Sequence, residues 1–347
     1  MERWPPEPDV RRIPQYDGAR SHDCKRRECT GIAEAYDRRR IFQPAGGDRM
    51  TTGGFRTEHL AVVGLGLMGG SMALAMREHA GTITGIDLNP ETRAYAVEHG
   101  IVDSTTDDLK AGVKDADTVI LAAPVRAIVE MLEKRIGSYL RNNTLLIDIG
   151  STKQDICDAM GRLPVSVQAI GGHPMTGKER SGIWASDAAL WQGRPFVLSP
   201  TRRTTPATML RALSLVNTIG AVPIEMEPEK HDMVVAAISH LPYLLSMGLV
   251  ATVAREADRD NDVWELAAGG FRDTSRLAGS DIKMMSDIMS TNTQAVARLL
   301  ALFRVQLAQM EAMLVSGEHT QLAEFLVPIR DARNEWVHNY EGKRNGN

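Results

Sequence analysis

A histidine among small residues is the first candidate for chemistry in this sequence. It is His173, in the stretch Gly171–Gly177, directly after the short apolar run Val165–Ile170. Glycine lets a backbone approach a ligand closely, and a residue that precedes proline, as His173 precedes Pro174, is held extended. An imidazole also suits proton transfer near neutral pH. We predict that His173 lies on a loop and carries proton chemistry; the alternative is a histidine that caps or hydrogen-bonds a turn.

A glycine-rich turn upstream has the pattern of a dinucleotide site. The turn Gly64–Ser71 follows an apolar predicted strand, His59–Val63, and opens a predicted helix, Met72–Glu78. The glycine pattern alone is weak evidence for a dinucleotide site. Here the turn lies between a strand and a helix, which is the arrangement that phosphate binding requires. Free N–H groups and the positive end of the helix dipole then face the phosphates.

Three glycines of the turn have separate expected roles. Gly64 makes the tight turn, Gly66 lets the backbone reach the pyrophosphate, and Gly69 allows close packing of the helix. Asp87 ends the next predicted strand, Thr82–Ile86, where its carboxylate can bind ribose hydroxyls and would repel a 2′-phosphate. The sequence therefore predicts NAD rather than NADP, with a turn that binds no nucleotide as the alternative. The predicted cofactor contacts are Gly64, Gly66, Leu67, Met68, Gly69, Asp87, Pro124 and Ser151.

Predicted strands alternate with helices through the first half of the chain. Buried strands are expected over Ala116–Ala122 and Thr144–Ile149, with two shorter strands to follow. This alternation indicates an α/β fold with an N-terminal Rossmann-type, doubly wound, mainly parallel sheet. Ligands bind beyond the carboxyl ends of such strands, which is where Pro124, Ser151 and His173 are all expected.

From residue 227 onward no strand pattern survives. Helical stretches are predicted at residues 229–257, 261–269, 281–316 and 318–340. Their apolar faces are broad enough to favour burial between two copies of the chain. The predicted domains are a dinucleotide-binding domain, 58–226, and an all-helical substrate and dimerisation domain, 227–340, which would form a homodimer.

The first 57 residues differ from the rest in composition. They are rich in Arg, Asp, Pro and Gly and too poor in aliphatic residues to offset the entropy of ordering. We expect residues 1–57 to be a disordered or non-native extension, with Met50 as an alternative start. Cys24 and Cys29, with His22 nearby, lack a second ligand pair, so no metal site is predicted.

Charge and composition exclude several classes of partner. The formal net charge of −4 disfavours nucleic acid. Three cysteines make no disulfide framework and the N-terminus lacks the apolar core of a signal peptide, so a cytoplasmic protein is expected. The stretch Met233–Ala254 has the length of a membrane span but contains His240, Pro242 and Ser246. We expect a core or subunit-interface helix and no membrane partner.

Several motifs together resemble the prephenate/arogenate dehydrogenase family. They are the glycine turn with Asp87, Asp148–Lys153, Gly171–Glu179, Ile238–Pro242, and Gly269–Arg276 with Ser280, Asp281 and Asn292. Many dehydrogenases share the glycine turn, whereas the other segments in this order are much more specific. The resemblance covers roughly residues 58 to 335.

The resemblance implies oxidative decarboxylation of a cyclohexadienyl alcohol, in tyrosine biosynthesis. NAD(P)+ takes a hydride from the ring carbon that bears the hydroxyl, carbon dioxide leaves, and the ring becomes aromatic. His173 would accept the hydroxyl proton, since a neutral imidazole with a pKa of about 6.5 is a suitable base. Ser151 would hold that hydroxyl or the nicotinamide edge. Arg276 would bind a substrate carboxylate through two parallel hydrogen bonds, although alone it reads as a solvated or salt-bridged arginine.

Four further residues are candidates for the substrate site. His240 lies on a helix kinked by Pro242, and it either contacts substrate or satisfies a backbone carbonyl that the proline frees. Lys178, Glu179 and Arg272 either line the mouth of the pocket or are solvated charges.

Two positions depart from the family pattern. Many relatives carry a histidine where this chain has Tyr243, a position that contacts the substrate side chain, and a tryptophan where it has Met285. A tyrosine hydroxyl can hydrogen-bond but is not cationic at neutral pH. We predict NAD-dependent oxidation of prephenate. The alternatives are an arogenate or dual-specificity cyclohexadienyl dehydrogenase and, more remotely, a non-catalytic dinucleotide-binding sensor.

Overall fold

The structure, a computed structural model, describes residues 54–134, 136–178 and 180–345. The part of the expected N-terminal extension that precedes residue 54, with Cys24, Cys29 and Met50, lies outside the described residues. The described part opens with Phe55, which is buried in the core. The first strand begins at Thr57, one residue before the predicted boundary.

Eight strands form one sheet in the order β3-β2-β1-β4-β5-β6-β7-β8. The strands β1 to β6 run parallel, and β7 and β8 run in the opposite direction. Their bounds are β1 Thr57–Val63, β2 Ala80–Ile86, β3 Ser104–Thr106, β4 Thr118–Leu121, β5 Leu145–Asp148, β6 Gln168–Pro174, β7 Pro195–Ser199 and β8 Val222–Glu225.

Both faces of this sheet are covered. Alternate residues of β1 enter two separate apolar clusters, Leu60 and Val62 in one and Ala61 and Val63 in the other. Side chains of a strand alternate between faces, so each cluster lies on its own side of the sheet. The helices that cover the faces are α1 Leu67–Ala75, α2 Pro90–Glu98, α3 Leu109–Val113, α4 Val125–Lys134, α5 Ile136–Tyr139, α6 Gln154–Met160 and α7 Pro206–Thr218. The predicted doubly wound, mainly parallel sheet is confirmed.

The placement of His173 on a loop is wrong. The strand β6 continues through His173 to Pro174, because β7 pairs with it in antiparallel register and aligns His173 with Val197. The chain leaves the strand only at Met175. The histidine is therefore held by a sheet ladder rather than by a flexible loop.

The chain after β8 is helical throughout the described residues. A continuous helical run consists of α8 Pro228–Val235, a π-helical turn Ala236–His240 and α9 Leu241–Ala257. It is followed by α10 Asp262–Glu265, α11 Gly269–Ser275, a 3₁₀ turn Arg276–Gly279, α12 Ile282–Thr291, α13 Thr293–Val315 and α14 His319–Asn345.

Two of the predicted helices differ from the observed ones. The helix expected over 281–316 is broken at Asn292, whose backbone has φ −135° and ψ 30°. The helix expected over 261–269 is reduced to the single turn α10, and the next helix starts at Gly269. The periodicity of apolar residues predicted the helical state but not these two interruptions. At the first of them the side chain of Asn292 bonds Asp232 and His240 of the preceding helical run.

The run Pro228–Ala257 is, by length and composition, able to cross a membrane, and 28% of its apolar window is buried. It also carries the buried polar residues His231, Asp232, His240 and Ser246. Each of these four side chains hydrogen-bonds another part of the chain. Polar groups with protein partners are typical of a helix that packs against protein.

Candidate active site

The glycine turn forms an open cradle at the end of β1. Gly64 has a φ of +91°, and a Cβ there would lie 2.6 Å from the carbonyl oxygen of Ala122. A Cβ on Gly69 would overlap the carbonyl oxygen of Gly64, whereas one on Gly66 would meet no atom within 4 Å. The space above Gly66 is therefore open. No side chain caps the N-terminus of α1, so its first N–H groups remain available to an anion.

Asp87 stands beside this cradle at the end of β2. Its carboxylate accepts hydrogen bonds from the backbone N–H groups of Leu65 and Asn89, each at 2.8 Å. Each oxygen keeps a lone pair for a further donor. Asp87 is thus fixed against the turn in a position that suits ribose recognition. Leu67 and Met68 form the first turn of α1, and Pro124 directly precedes α4.

A buried ion pair holds Gly172, the residue before His173 in strand β6. Lys153 and Asp148 are both fully buried and joined to each other. Asp148 accepts the N–H of Gly172 at 3.0 Å, and Lys153 donates to the carbonyl of Gly172 at 2.6 Å. A Cβ on Gly172 would lie 2.5 Å from the carbonyl oxygen of Asp148. This glycine is needed for close packing against β5 rather than for approach to a ligand.

His173 meets a second histidine from the helical part of the chain. Its Nδ1 lies 2.8 Å from Nε2 of His231, and Nδ1 of His231 lies 2.7 Å from the carboxylate of Asp232. A carboxylate accepts, so His231 donates from Nδ1, and in the neutral ring its Nε2 must then accept. His173 therefore donates from Nδ1 and keeps the lone pair of Nε2. Nε2 is the atom that a base would use.

Asp232 also joins the two parts of the chain. Its two carboxylate oxygens accept the N–H groups of Lys153 at 2.7 Å and Gln154 at 2.9 Å, which begin α6. A carboxylate at a helix N-terminus is favoured by the helix dipole. The sequence analysis missed both His231 and Asp232. Their adjacency just after the last strand is a signal, but only the fold brings them under His173.

His240 has the opposite tautomer. Asn292 donates from Nδ2 to the carbonyl of Asp232 at 2.7 Å, and the same amide lies 3.3 Å from Nδ1 of His240. Because a backbone carbonyl only accepts, this atom of Asn292 is the NH₂ group, and Nδ1 of neutral His240 accepts from it. Nε2 of His240 therefore carries its proton. The predicted contact with a freed backbone carbonyl is not observed.

Both histidines are held neutral. Burial lowers the pKa of His173 well below 6.5, and the neighbouring His231, Lys153 and His240 lower it further. Burial lowers the pKa of His240 to about 4, against the opposing charge of Asp232. The ordinary pKa expected for His173 from sequence is therefore wrong, and the correction favours a neutral base.

The remaining predicted site residues differ in how deeply they are buried. Ser151 is half-buried after β5, next to Thr152, which bonds Thr291 of α12 at 2.8 Å. Tyr243 is buried against Met285 and Ile288, so the two departures from the family pattern are in one cluster. Arg276 is exposed at the start of the 3₁₀ turn.

The structure does not join the predicted mouth residues to His173. Lys178 is tied to Asp187 at 2.9 Å and to the carbonyl of Ala185 within its own loop. Arg272 is exposed and bonds its neighbour Asp273. Glu179 lies outside the described residues. In the described part of the chain no group of His, Cys, Asp and Glu has the arrangement of a metal site.

A Rossmann-type sheet, an open glycine cradle and a histidine with a free Nε2 define a dinucleotide-dependent dehydrogenase site. The comparisons with known proteins agree. The family model for the nucleotide-binding domain of prephenate dehydrogenase matches residues 72–225, and that for its dimerization domain matches residues 227–327. The chain therefore belongs to the prephenate dehydrogenase family, and the predicted family and enzyme class are confirmed.

Individual relatives are similar over most of this chain. It is 37% identical to the prephenate dehydrogenase of Bacillus subtilis over 240 residues, which is 68% of this chain and 65% of that protein. The prephenate dehydrogenase of A. aeolicus, solved with hydroxyphenyl propionate and NAD+, is 31% identical with a TM-score of 0.74 over 80% of this chain and 98% of that one. Synechocystis arogenate dehydrogenase is 30% identical with a TM-score of 0.69, over 80% and 99%.

Two glycine variants test the cradle. Gly66→Ala is expected to keep the thermal midpoint of the wild type while weakening NAD+ binding at least ~10-fold, because its methyl group meets only the ligand space. Gly69→Ala is expected to lower the thermal midpoint, because its Cβ overlaps Gly64. Calorimetric titration with NAD+ and thermal unfolding measure the two effects. Unchanged NAD+ affinity in Gly66→Ala would contradict the placement of the pyrophosphate.

The lowered histidine pKa values can be measured by NMR. The Cε1–H signal of His240 should titrate near pH 4, and that of His173 well below pH 6.5, whereas the urea-unfolded chain should titrate near 6.5. The unfolded chain then binds more protons, so these groups make the free energy of unfolding fall as pH drops below about 6.5. For His240 the loss is complete near pH 4. His240→Gln, which does not titrate, should lose less stability over this range.

Proposed function

We propose that this protein is an NAD-dependent prephenate dehydrogenase, which converts prephenate to 4-hydroxyphenylpyruvate and carbon dioxide in tyrosine biosynthesis. The observation that carries the proposal is the pair His173–His231 backed by Asp232, because it leaves the lone pair of His173 Nε2 free. Bound NAD+ supplies the hydride acceptor. The match to the B. subtilis and A. aeolicus enzymes supports the same substrate.

His173 is the base of this reaction. Its Nε2 accepts the proton of the ring hydroxyl while hydride leaves the same carbon and carbon dioxide leaves the ring. The electron pair of the broken C–CO₂ bond enters the ring and makes it aromatic, and the phenolate oxygen that results takes the proton back from Nε2 of His173. The imidazolium that forms on His173 donates through Nδ1 to His231, and the charge of Asp232 stabilises it from behind. A pKa well below 6.5 keeps His173 unprotonated before substrate arrives.

The cofactor lies in the cradle of the glycine turn. Gly66, with the open space above it, and the uncapped N-terminus of α1 would hold the pyrophosphate. Asp87 binds the adenosine ribose hydroxyls with its remaining lone pairs and repels a 2′-phosphate, so NAD is used. Ser151 and Pro124, at the carboxyl ends of β5 and β4, contact the nicotinamide side, with Ser151 also holding the reacting hydroxyl.

The substrate lies between His173 and the helical domain. His240 donates from Nε2–H to a substrate oxygen, since its Nδ1 is engaged by Asn292. Arg276 binds a carboxylate of the substrate, and the hydroxyl of Tyr243 contacts its side-chain end. Lys178 and Arg272 would act at the mouth of the substrate site only after exchanging their present partners, Asp187 and Asp273, for substrate.

An arogenate or dual-specificity enzyme is the second candidate. It is favoured by the similarity to Synechocystis arogenate dehydrogenase and by Tyr243, a neutral residue that does not select between a keto and an amino group by charge. A non-catalytic dinucleotide sensor is disfavoured, because binding alone has no use for the tautomer that His231 and Asp232 impose on His173.

The domain division and the assembly complete the proposal. Residues 58–226 bind the dinucleotide, and 227–340 form the helical substrate domain of a cytoplasmic homodimer. The match to a dimerization domain supports this, as do apolar side chains on α13 and α14 that are exposed in the single chain. Among these are Leu302, Val305, Leu307, Leu326, Ile329 and Trp336.

The dimer is tested by mass in solution. One chain has a mass of 38.0 kDa, and light scattering of the purified full chain is expected to give twice that mass. Val305→Glu, which puts a charge on the exposed apolar face, should shift the mass toward one chain. A wild type that stays a monomer at micromolar concentration would contradict the assembly.

The function is tested by NADH formation with prephenate and with arogenate, each with NAD+ and NADP+. Turnover of prephenate with NAD+ is expected to be fastest, and turnover of neither acid would overturn the proposal. His173→Asn is expected to lower kcat at least ~100-fold while NAD+ affinity stays unchanged, because an amide cannot accept the proton. Full activity of this variant would reassign the base.

A further inference from the structure

A buried serine of α9 holds the turn that bears Arg276. Ser246 is 2% exposed, and its Oγ accepts the backbone N–H of Ala278 at 2.9 Å. Ala278 belongs to the 3₁₀ turn Arg276–Gly279, which lies 32 residues further along the chain. Within the same turn, the N–H of Ser280 returns to the carbonyl of Leu277. The serine is therefore a cross-link between two elements that carry no regular hydrogen-bond ladder to each other.

A hydroxyl at this place needs a partner, because Ser246 is buried and the residues on either side of it, Leu245 and Met247, are apolar. Burying a polar group without a partner costs free energy, so a serine at an apolar helix interface is kept only where it bonds something. Here the partner is a backbone N–H of a short 3₁₀ turn. Alanine at 246 would leave that N–H without its acceptor and the turn without its link to α9.

Ser246 also continues a buried series from the histidines. His240, Tyr243 and Ser246 follow one another at intervals of three residues, and all three are buried. Residues three apart are neighbours on a helix surface. The series starts at His240, which Asn292 ties to Asp232, and ends at the turn of Arg276. The continuous helical run therefore carries both ends of this series, from the side chain bonded to Asn292 to the side chain bonded to the turn of Arg276.

We propose that Ser246 is a positioning residue for Arg276, which sets the distance of the guanidinium from His173 and so the recognition of the substrate carboxylate. This inference rests on the proposed function and deepens it. Ser246 does not touch the substrate in this scheme. It acts through the backbone of the 3₁₀ turn, so its loss weakens binding of the acid end of the substrate and leaves the proton transfer at His173 intact.

The test compares two phenols, one with a carboxylate and one without. The full-length protein with NAD+ is titrated by calorimetry with 3-(4-hydroxyphenyl)propionate and with 4-ethylphenol, which lacks the acid. Ser246→Ala is expected to weaken the propionate about 3- to 10-fold, the size of one hydrogen bond, and to leave 4-ethylphenol unchanged. Ser246→Cys keeps the side-chain volume with a weak acceptor and should behave like Ser246→Ala. Ser316→Ala, a helix-end serine that bonds only its own helix, is the matched control and should match the wild type.

A double-mutant cycle with Arg276→Ala separates positioning from general loosening. If Ser246 acts through Arg276, the double variant binds the propionate no more weakly than Arg276→Ala alone. With the substrate turned over by the wild type, Ser246→Ala should raise KM and keep kcat within about twofold. Equal weakening of both phenols, additive effects in the cycle, or an unchanged propionate affinity would each overturn the role of Ser246. A wild type that binds neither phenol would instead overturn the proposed function itself.

Discussion

The geometry of the site depends on one carboxylate. Asp232 accepts hydrogen bonds from His231 and from two backbone N–H groups at the start of α6, and its own carbonyl is bonded by Asn292. These contacts bring together the sheet, the first helix of the helical part and the break between α12 and α13. The carboxylate that orders the histidines is thus the same group that docks the two parts of the chain. A substitution of Asp232 would therefore alter proton transfer and domain packing together.

Much of the fold and of the cofactor site could be predicted from the sequence, because it depends on residues close together in the chain. The glycine turn, the acid after β2 and the alternation of strands with helices depend on neighbours within about 25 residues, and they were found where expected. The family motifs around His173, His240 and Arg276 were equally readable. The strand β3 was not, because Ser104–Thr106 is three polar residues long and exists only by pairing with β2.

The features that were not predicted from the sequence all depend on contacts with another element of the fold. His231 and Asp232 stand next to each other after the last strand, but their role appears only when α8 packs under β6. The pairing with β7 turned the expected His173 loop into a strand, and burial changed the pKa of His173. Each of these outcomes depends on pairing or packing with another element rather than on the residues next to His173 in the chain. A tautomer in particular depends on the whole chain of donors and acceptors.

The π-helical turn Ala236–His240 has a consequence for how this protein can change. One residue more than an α-helix would use lies between the part that carries His231 and the part that carries Tyr243 and Ser246. A π turn takes up this extra residue within a single rotation of the helix, so deleting one residue there would leave a regular α-helix with the faces on either side still aligned. The π turn is therefore the place where the length of this run can change by one residue, whereas a deletion within α8 or α9 would rotate everything after it by about 100°.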